Sequence, residues 1–278
     1  MDMMDMMDAS GPQEAFPVRA VVFDWAGTVI DFGCMAPIEA LLGVFAAAGV
    51  PISATEARRD MGKAKLDHLR ALLADPGVAA RWQATKNRPA GEDDVAGLYA
   101  QLEPAMQAAA TKAAVLIPGA VEAVEDLRAL GIKVGSGTGY TRTMMAGIES
   151  AAAEQGYVPD VIICAGETPS GRPSPLPCWA ALIAMDAWPA NRCIKVDDAP
   201  VGIEEGRNAG CWTVGIAGSG NAVGLSLADY RLLSEPERAA RLIAAEAQLR
   251  AAGADFVIED VSHLLPVVHE IARRIDAT

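Results

Sequence analysis

A single aspartate stands where an apolar run meets a glycine turn near the start of the sequence. Asp24 directly follows the strand-like residues 21–23, and Gly27 and Thr28 come shortly after it. Small residues with free backbone N–H groups let a tetrahedral anion approach closely. The pattern therefore favours Asp24 as a carboxylate nucleophile at phosphorus that also binds a metal. An N-capping aspartate at a strand-to-helix turn is the alternative.

Two further carboxylates end another apolar run. Asp197 and Asp198 follow residues 193–196, which also have the composition of a buried strand. If this strand lies beside the first, its terminal carboxylates converge with Asp24. Two carboxylates, a backbone carbonyl and water molecules suit Mg²⁺, a hard cation that prefers oxygen ligands. A solvated acidic turn is the alternative for this pair taken alone, and the pairing with Asp24 favours the metal site.

A hydroxyl and an arginine offer groups that bind an anion. Thr138 follows the strand-like run 132–137, where its hydroxyl and free N–H groups could bind phosphoryl oxygens. Arg172 lies in a Ser-Gly-Arg-Pro segment and could neutralise the oxygens of a transferring phosphoryl group. A turn-forming cluster around Thr138 and a surface charge at Arg172 are the alternatives.

Residues 61–68 place two lysines and a histidine on a short helical stretch. Lys65 and His68 stand three positions apart and therefore share one helix face. A lysine amine with a lowered pKa forms a Schiff base with a carbonyl compound, and the resulting iminium accepts electrons. Spacing alone also fits a solvated helix lysine and a packed histidine. Lys63 is a second, less favoured candidate for the amine.

The order of secondary-structure elements decides whether these groups meet. Further strand-like runs follow the first at 132–138, 161–164, 193–198 and 212–216, with helical stretches between them. Strands that alternate with helices predict an α/β fold with a doubly wound, Rossmann-like parallel sheet. The functional groups of such a sheet gather at the carboxyl ends of its strands.

Helical periodicity replaces this alternation in one long segment. We therefore expect a helical cap domain at 35–112, inserted into a catalytic core formed by 18–34 and 113–278. The Pro-Gly pair at 76–77 is expected to break the cap into a bundle. The acidic, methionine-rich residues 1–17 lack the features of a signal peptide, and we expect them to be disordered.

Composition narrows the possible partners and the compartment. The 278-residue chain carries 23 basic and 36 acidic residues, a formal charge of −13, which argues against nucleic acid or an anionic membrane as partner. No apolar run approaches the roughly 20 residues needed to span a bilayer. Five scattered cysteines without a Cys-x-x-Cys pair indicate no disulfide framework. We expect a cytoplasmic protein with a small-molecule substrate.

Four positions resemble, in chain order, the four motifs of the haloacid dehalogenase superfamily: Asp24, Thr138, Arg172 and Asp198. The resemblance covers nearly the whole chain. It implies a doubly wound core with a mobile cap inserted after the first strand, an aspartyl-phosphate intermediate and Mg²⁺. The cation would be held by Asp24, the backbone carbonyl of Ala26 and Asp198. Superfamily members usually carry a lysine at the position of Arg172.

Two positions depart from the superfamily pattern. Its phosphatases carry an aspartate two residues after the nucleophile, where proton donation to the leaving alkoxide accelerates the reaction by about 10²- to 10⁴-fold. Ala26 occupies this position and cannot donate a proton, so the leaving group must need none or must be stabilised by another device. Gly202 stands where some relatives carry a further carboxylate, and we expect Asp197 to take its supporting role.

Several segments together resemble one family within this superfamily, the phosphonoacetaldehyde hydrolases or phosphonatases. They are Phe-Asp-Trp-Ala-Gly-Thr at 23–28, Asp-Phe-Gly-Cys at 31–34, Met-Gly-x-x-Lys-x-Asp-His at 61–68, Thr-Gly-Tyr-Thr-Arg at 138–142 and Gly-Arg-Pro at 171–173. The match is specific, because the alanine, the cap lysine and the arginine depart together from the general superfamily pattern.

This resemblance implies roles for individual residues. It makes Lys65 the Schiff-base lysine and Asp24 the nucleophile, with Thr138 and Arg172 binding the phosphoryl group and His68 moving protons. The substrate-binding residues that it implies are Met61, Gly62, Gly139 and Tyr140. We expect burial and nearby positive charge to lower the pKa of Lys65.

The implied reaction is the Mg²⁺-dependent hydrolysis of 2-phosphonoacetaldehyde to acetaldehyde and phosphate, the last step in degrading 2-aminoethylphosphonate. Electrons of the broken P–C bond would pass into the iminium on Lys65, so that no acid is needed at Ala26. A haloacid dehalogenase, whose halide leaves without a proton, and a non-catalytic ligand-binding protein of the same fold are the alternatives. The resemblance also implies a homodimer joined through the caps. The apolar stretch at 38–48 is a candidate surface for it, with core packing as its ordinary explanation.

Overall fold

The computed structural model describes residues 16–277 and contains, within them, six strands in one sheet. The strands are β1 (Ala20–Phe23), β2 (Lys133–Gly137), β3 (Val161–Ile163), β4 (Cys193–Asp197), β5 (Trp212–Ile216) and β6 (Phe256–Ile258). All are parallel, and their order across the sheet is β3-β2-β1-β4-β5-β6. β1 therefore lies inside the sheet with β2 on one side and β4 on the other.

A helical segment follows β1 before the sheet resumes. Its helices are α1 (Met35–Ala47), α2 (Ala54–Arg58), α3 (Lys65–Ala74), α4 (Pro76–Lys86) and α5 (Glu92–Ala113). We call residues 35–113 the helical insert. Within it, α1 and α3 pack on α5, the longest of these helices. The insert occupies the place of the predicted cap, whose boundaries at residues 35 and 112 stay a prediction.

The remaining α-helices lie between the later elements of the core, and the last of them follows β6. They are α6 (Ala120–Ala129), α7 (Arg142–Glu154), α8 (Leu176–Ala184), α9 (Pro200–Ala209), α10 (Leu227–Leu232), α11 (Glu235–Ala252) and α12 (Leu264–Asp276). The predicted doubly wound parallel sheet is confirmed. α5 also packs on α7, so the insert rests on the core through these two helices.

Alternating side chains explain why both faces of the sheet are covered. All four side chains of β1 are buried. Val21 and Phe23 belong to one hydrophobic core, whereas Ala20 and Val22 belong to another on the opposite face. Continuous apolar strands of this kind are typical of parallel sheets with helices on both faces.

Capping residues determine where two helices begin. The Thr141 hydroxyl caps α7, so the helix starts after it and Tyr140 remains in the loop at the end of β2. Asp75 caps α4 through its carboxylate, and Pro76 occupies the first turn, where its missing N–H costs no hydrogen bond. The break expected at 76–77 thus separates α3 from α4 and also starts α4.

The apolar face of α1 is buried within the chain. Ile38, Leu41, Val44 and Phe45 belong to the hydrophobic core where α1 packs on α5. Core packing therefore accounts for these four large side chains of the stretch 38–48, which the sequence offered as a dimer surface.

The structure also bears on the predictions about membrane-spanning helices and about residues 1–17. In the part of the chain that the structure describes, no helix is both long enough and apolar enough to cross a bilayer. The segment predicted to be disordered, residues 1–17, lies outside the described residues except for its last two. Of these, Phe16 packs edge-on against His269, with 5.6 Å between ring centroids.

Candidate active site

Asp24 lies at the carboxyl edge of the sheet, directly after the inner strand β1. Its backbone N–H donates to the Val196 carbonyl of β4 at 2.9 Å. Thr138 follows β2, and its hydroxyl oxygen accepts the N–H of Tyr140 at 3.1 Å. Asp197 ends β4. Because parallel strands end at the same edge, residues far apart in the sequence meet here.

Three buried carboxylates form a cluster at this edge. Asp24, Asp197 and Asp198 each offer an oxygen, and these oxygens all lie within 4.8 Å of one another. The turn that carries Ala26 adjoins the cluster, because a Cβ at the neighbouring Gly27 would overlap the Asp198 carboxylate. The positions predicted to hold a metal are therefore brought together.

The three carboxylates differ in the positive charge around them. Asp197 lies beside both Lys195 and Arg172, Asp24 pairs with Arg172, and Asp198 is held by neutral donors. Burial alone would raise the pKa of Asp197, but Lys195 and Arg172 hold it below its usual value. Burial and repulsion by Asp197 raise the pKa of Asp24 to about 6. Burial and the charges of Asp24 and Asp197 raise the pKa of Asp198 well above its usual value. A cation between Asp24 and Asp198 would relieve this repulsion, and their oxygen donors suit a hard one.

Neutral donors hold the Asp198 carboxylate. Its Oδ2 accepts the backbone N–H of Asn221 at 2.6 Å and the Cys34 thiol at 3.2 Å. Since neither donor is charged, these bonds orient Asp198 without neutralising it. Asn221 lies in a Ser-Gly-Asn stretch of ordinary loop composition, so no sequence pattern singled it out.

Arg172 is the centre of a buried ion-pair network. Its Nη1 donates to Asp24 Oδ1 at 2.7 Å, its Nη2 donates to the Gly137 carbonyl at 2.8 Å, and its Nε pairs with Glu205 Oε2 at 2.9 Å. Burial opposes its charge, but Asp197, Asp24 and Glu205 outweigh burial and raise the pKa of Arg172. The planar guanidinium is thus held by three partners in one fixed orientation, which the rotatable ammonium of a lysine does not impose.

Asp197 occupies the space where a side chain at position 202 would lie. A Cβ at Gly202 would overlap the Asp197 carboxylate. One oxygen of that carboxylate accepts the Ala199 N–H at 3.1 Å, and the other lies 3.4 Å from Arg172 Nη1. Glycine at 202 is therefore required for Asp197 to reach the network, and this position fits its predicted supporting role.

Lys65, the first residue of α3, is buried at the site. It is only 3% exposed, and its Nζ lies 5.2 Å from the ring centroid of Tyr140 and 3.8 Å from Met61 Sδ. Within residues 16–277 it forms no ion pair with a carboxylate. Burial is the main cause that lowers the pKa of Lys65 to about 8, and the charge of Arg172 acts in the same direction. An appreciable fraction of this amine is therefore neutral near pH 7, as nucleophilic addition requires.

Lys195 and Lys63, by contrast, have carboxylate partners. Lys195 is fully buried, yet its pKa is raised because it pairs with Asp197 at 2.8 Å and with Glu205 at 3.5 Å. Lys63 pairs with Asp60 at 2.5 Å and stays about one-third exposed. Of these lysines, Lys65 is the one whose surroundings favour a nucleophilic amine.

His68 is buried on the same face of α3 as Lys65. Burial and the charge of Lys65 lower its pKa to about 3, so the imidazole is neutral. Neither ring nitrogen forms a well-aligned hydrogen bond with a described residue. The backbone of Ala57 acts to raise the pKa of His68, but burial outweighs it. The role of His68 in moving protons stays a prediction. In that role the neutral imidazole would have to accept a proton first.

Two glycines allow the helical insert to close against the strand ends. A Cβ at Gly62 would lie 2.8 Å from Val201, and a Cβ at Gly139 would lie 2.8 Å from the Lys63 carbonyl oxygen. A cavity of about 20 Å³ remains between these segments beside Thr138. This volume holds about one water molecule, so the segments are closely packed at this point.

Sequence patterns missed two members of the ion-pair network around Arg172, Lys195 and Glu205. Lys195 interrupts the apolar run 193–196, and a charged residue in a buried strand needs a partner, so this signal was available. Glu205 gave no such signal, because glutamate is common on any helix such as α9.

Residues 18–210 match the family model described as haloacid dehalogenase-like hydrolase. The phosphonoacetaldehyde hydrolase of Paraburkholderia phytofirmans is 46% identical over 258 residues, which cover 93% of this chain and 97% of that protein. The phosphonoacetaldehyde hydrolase of Paraburkholderia xenovorans is 45% identical with the same coverage. Among solved structures, the phosphonoacetaldehyde hydrolase-like protein of Oleispira antarctica is 40% identical, covers 95% of each chain and superposes with a TM-score of 0.93.

Proposed function

The chain belongs to the phosphonoacetaldehyde hydrolase family of haloacid dehalogenase-like hydrolases, and from this premise we propose that it hydrolyses the P–C bond of 2-phosphonoacetaldehyde to acetaldehyde and phosphate. The observation that carries the proposal is Lys65, a buried amine with a lowered pKa at the site of Asp24. Ala26 supports it, because a nucleophile without a neighbouring acid suits a leaving group that needs no proton. A substrate that joins a carbonyl to a phosphonate uses both features.

The proposed reaction begins at the carbonyl group. The Lys65 amine adds to the aldehyde and water is lost, which gives an iminium. A carboxylate oxygen of Asp24 then attacks phosphorus, and the electron pair of the P–C bond moves into the iminium to form an enamine. Protonation of the enamine carbon and hydrolysis of the imine release acetaldehyde. Hydrolysis of the aspartyl phosphate releases phosphate, so that one water is consumed overall.

The phosphoryl group is held by Thr138 and Arg172 in this proposal. Arg172 already donates to Asp24 and is fixed by its other partners, so it can stabilise charge on the phosphoryl oxygens without reorganising. The aldehyde end lies against the insert. The residues proposed to contact it are Met61, Gly62, Gly139 and Tyr140.

We propose that the site holds Mg²⁺ through Asp24, Asp198 and the backbone carbonyl of Ala26. The crowding of these carboxylates, which raises the pKa of Asp24 and of Asp198, supports a cation at this point. When bound, Mg²⁺ would neutralise the carboxylates and the phosphoryl oxygens, so that two anions can approach each other.

The proposal is tested by incubating the protein with 2-phosphonoacetaldehyde and Mg²⁺ and measuring both products. Equal amounts of phosphate and acetaldehyde are expected. Phosphonoacetate, which has a carboxylate instead of the aldehyde and forms no iminium, should release no phosphate. Halide release from a 2-haloacid without Mg²⁺ would instead support a dehalogenase, and ligand binding without turnover would support a non-catalytic protein.

The reaction also suggests a place in metabolism. 2-Phosphonoacetaldehyde is 2-aminoethylphosphonate with its terminal CH₂–NH₂ group converted to an aldehyde, so we propose the last step in degrading that compound, in the cytoplasm. We also propose a homodimer through the helical insert, as the resemblance implies. Since the apolar face of α1 is buried, the contacts between the two subunits would use other residues of the insert. Sedimentation equilibrium tests the oligomeric state.

A further inference from the structure

Arg58, the last residue of α2, reaches from the helical insert into the core. Its Nη1 donates to the Gly33 carbonyl at 2.7 Å and to Asn221 Oδ1 at 3.1 Å, and its Nη2 donates to the Gly224 carbonyl at 3.2 Å. Gly33 lies in the segment that connects β1 to the insert. One guanidinium therefore ties the insert, this connection and a core loop together.

Asn221 belongs to that core loop, residues 217–226 after β5, which we call the β5 loop. Its side chain exchanges two hydrogen bonds with Arg58, since its Nδ2 also donates to the Arg58 carbonyl at 3.0 Å. Its backbone N–H donates to Asp198 at 2.6 Å. Asn221 thus contacts the insert on one side and the carboxylate cluster on the other.

Glycines let the β5 loop approach both of its partners. Gly224 has a φ of +62°, and a Cβ there would lie 2.7 Å from Arg58 Nε. A Cβ at Gly220 would lie 2.8 Å from the Cβ of Asp198. Side chains at these positions would push the loop away from Arg58 at one end and from Asp198 at the other.

We propose that Asn221 is a positioning residue that couples closure of the helical insert to the orientation of Asp198, with Arg58 as its partner on the insert. Arg58 holds the Asn221 side chain, which fixes the β5 loop and with it the N–H that orients Asp198. Movement of the insert breaks the bonds to Arg58 and loosens that carboxylate. By reciprocity, a cation bound at Asp198 favours the closed insert. The inference rests on the proposed function for the assignment of Asp198 to the cation site.

The test uses the full chain without substrate and has two readouts. The Mg²⁺ dissociation constant is measured by calorimetry, and closure is measured by hydrogen exchange at backbone amides 59–66, with and without Mg²⁺. In the wild-type protein, Mg²⁺ should slow this exchange. Arg58→Ala and Asn221→Ala should each weaken Mg²⁺ binding by about tenfold, within the usual range of such couplings. Both should also abolish the effect of Mg²⁺ on exchange.

The matched control is Arg59→Ala. Arg59 is the next residue and an exposed arginine, but it pairs with Asp75 inside the insert. This variant should retain wild-type Mg²⁺ binding and exchange. Arg58→Lys keeps the charge but not the fork of donors, and it should behave like Arg58→Ala.

The double variant of Arg58 and Asn221 decides whether the two residues act as a unit. Its effect on Mg²⁺ binding should equal that of either single variant, because each single variant already breaks the contact between Arg58 and Asn221. Effects that add, or an Arg58→Ala protein that binds Mg²⁺ as the wild type does, would overturn the proposal. If the wild type releases no phosphate from 2-phosphonoacetaldehyde, the proposed function fails, and the binding and exchange results still decide the coupling.

Discussion

At the scale of single residues, the surroundings of a buried lysine determine the pKa of its amine and so whether it can act as a nucleophile. Spacing in the sequence cannot separate a solvated Lys65 from a buried one, and only resemblance to a family selected it. Lys65 is buried and forms no ion pair with a carboxylate of residues 16–277, and its pKa falls to about 8. Lys195 is also buried, but its ion pairs raise its pKa. The burial of Lys65 depends on packing between distant segments, which no local pattern encodes.

The reactivity of Lys65 should titrate well below that of an ordinary lysine. A shift from 10.5 to about 8 makes the neutral fraction at pH 7 about 300-fold larger. Because the neutral amine is the reactive form, labelling of Lys65 by a small amine-specific reagent should rise with pH through 8 and level off above about pH 9. Peptide mass spectrometry measures the rate. A rate that keeps rising beyond pH 10 would show that burial does not shift this pKa.

At the scale of secondary-structure elements, parallel strands explain why part of the site was predictable. Apolar runs that end in Asp24, Thr138 and Asp198 had to place these residues at the same edge of the sheet. The residues that hold these groups in place could not be predicted from the strand ends. Glu205 comes from the side of α9, and Asn221 comes from a loop after β5, so only the packed fold brings them to Arg172 and Asp198.

Gly202 should be intolerant of a side chain because α9 lies close to β4. In Gly202→Ala the new Cβ would displace the Asp197 carboxylate from Lys195 and Arg172. We expect a loss of about 1–3 kcal/mol in the free energy of unfolding, as for other overpacked cores. Phosphate release should fall as well. Urea denaturation and a phosphate assay measure the two effects.

A matched substitution separates this clash from the general effect of alanine in a helix. Gly97 lies within α5, is exposed, and has open space where a Cβ would be. Gly97→Ala should therefore raise the free energy of unfolding by up to about 1 kcal/mol. If Gly202→Ala proved as stable and as active as Gly97→Ala, the packing argument for Asp197 would be wrong.

At the scale of the whole molecule, the site is shared between the core and the helical insert. The insert supplies Lys65, the core supplies Asp24 directly after β1, and the space beside Thr138 holds about one water. Burial where the insert meets the core removes water from the Lys65 amine, which lowers its pKa. Sequence periodicity predicted that an insert exists, but not how closely it lies on the strand ends.

Mg²⁺ should stabilise the folded protein through the carboxylate cluster. A ligand that binds only the folded state at 100 times its dissociation constant raises the free energy of unfolding by about 2.7 kcal/mol. Thermal unfolding in EDTA and in Mg²⁺ should therefore give a clearly higher Tm with the cation. Asp198→Asn removes one of the crowded charges and should lose most of this shift. Identical Tm values for the wild type in both solutions would argue against a cation site.

The Schiff base on Lys65 is the central claim, and borohydride reduction tests it most directly. The protein is mixed with 2-phosphonoacetaldehyde, reduced with sodium borohydride, digested and analysed by peptide mass spectrometry, with Lys65→Arg treated in parallel. We predict one substrate-derived adduct on the peptide that contains Lys65 in the wild type and none at that peptide in the variant. An adduct confined to Lys63 or another lysine, or turnover of the substrate without any trapped adduct, would contradict the account.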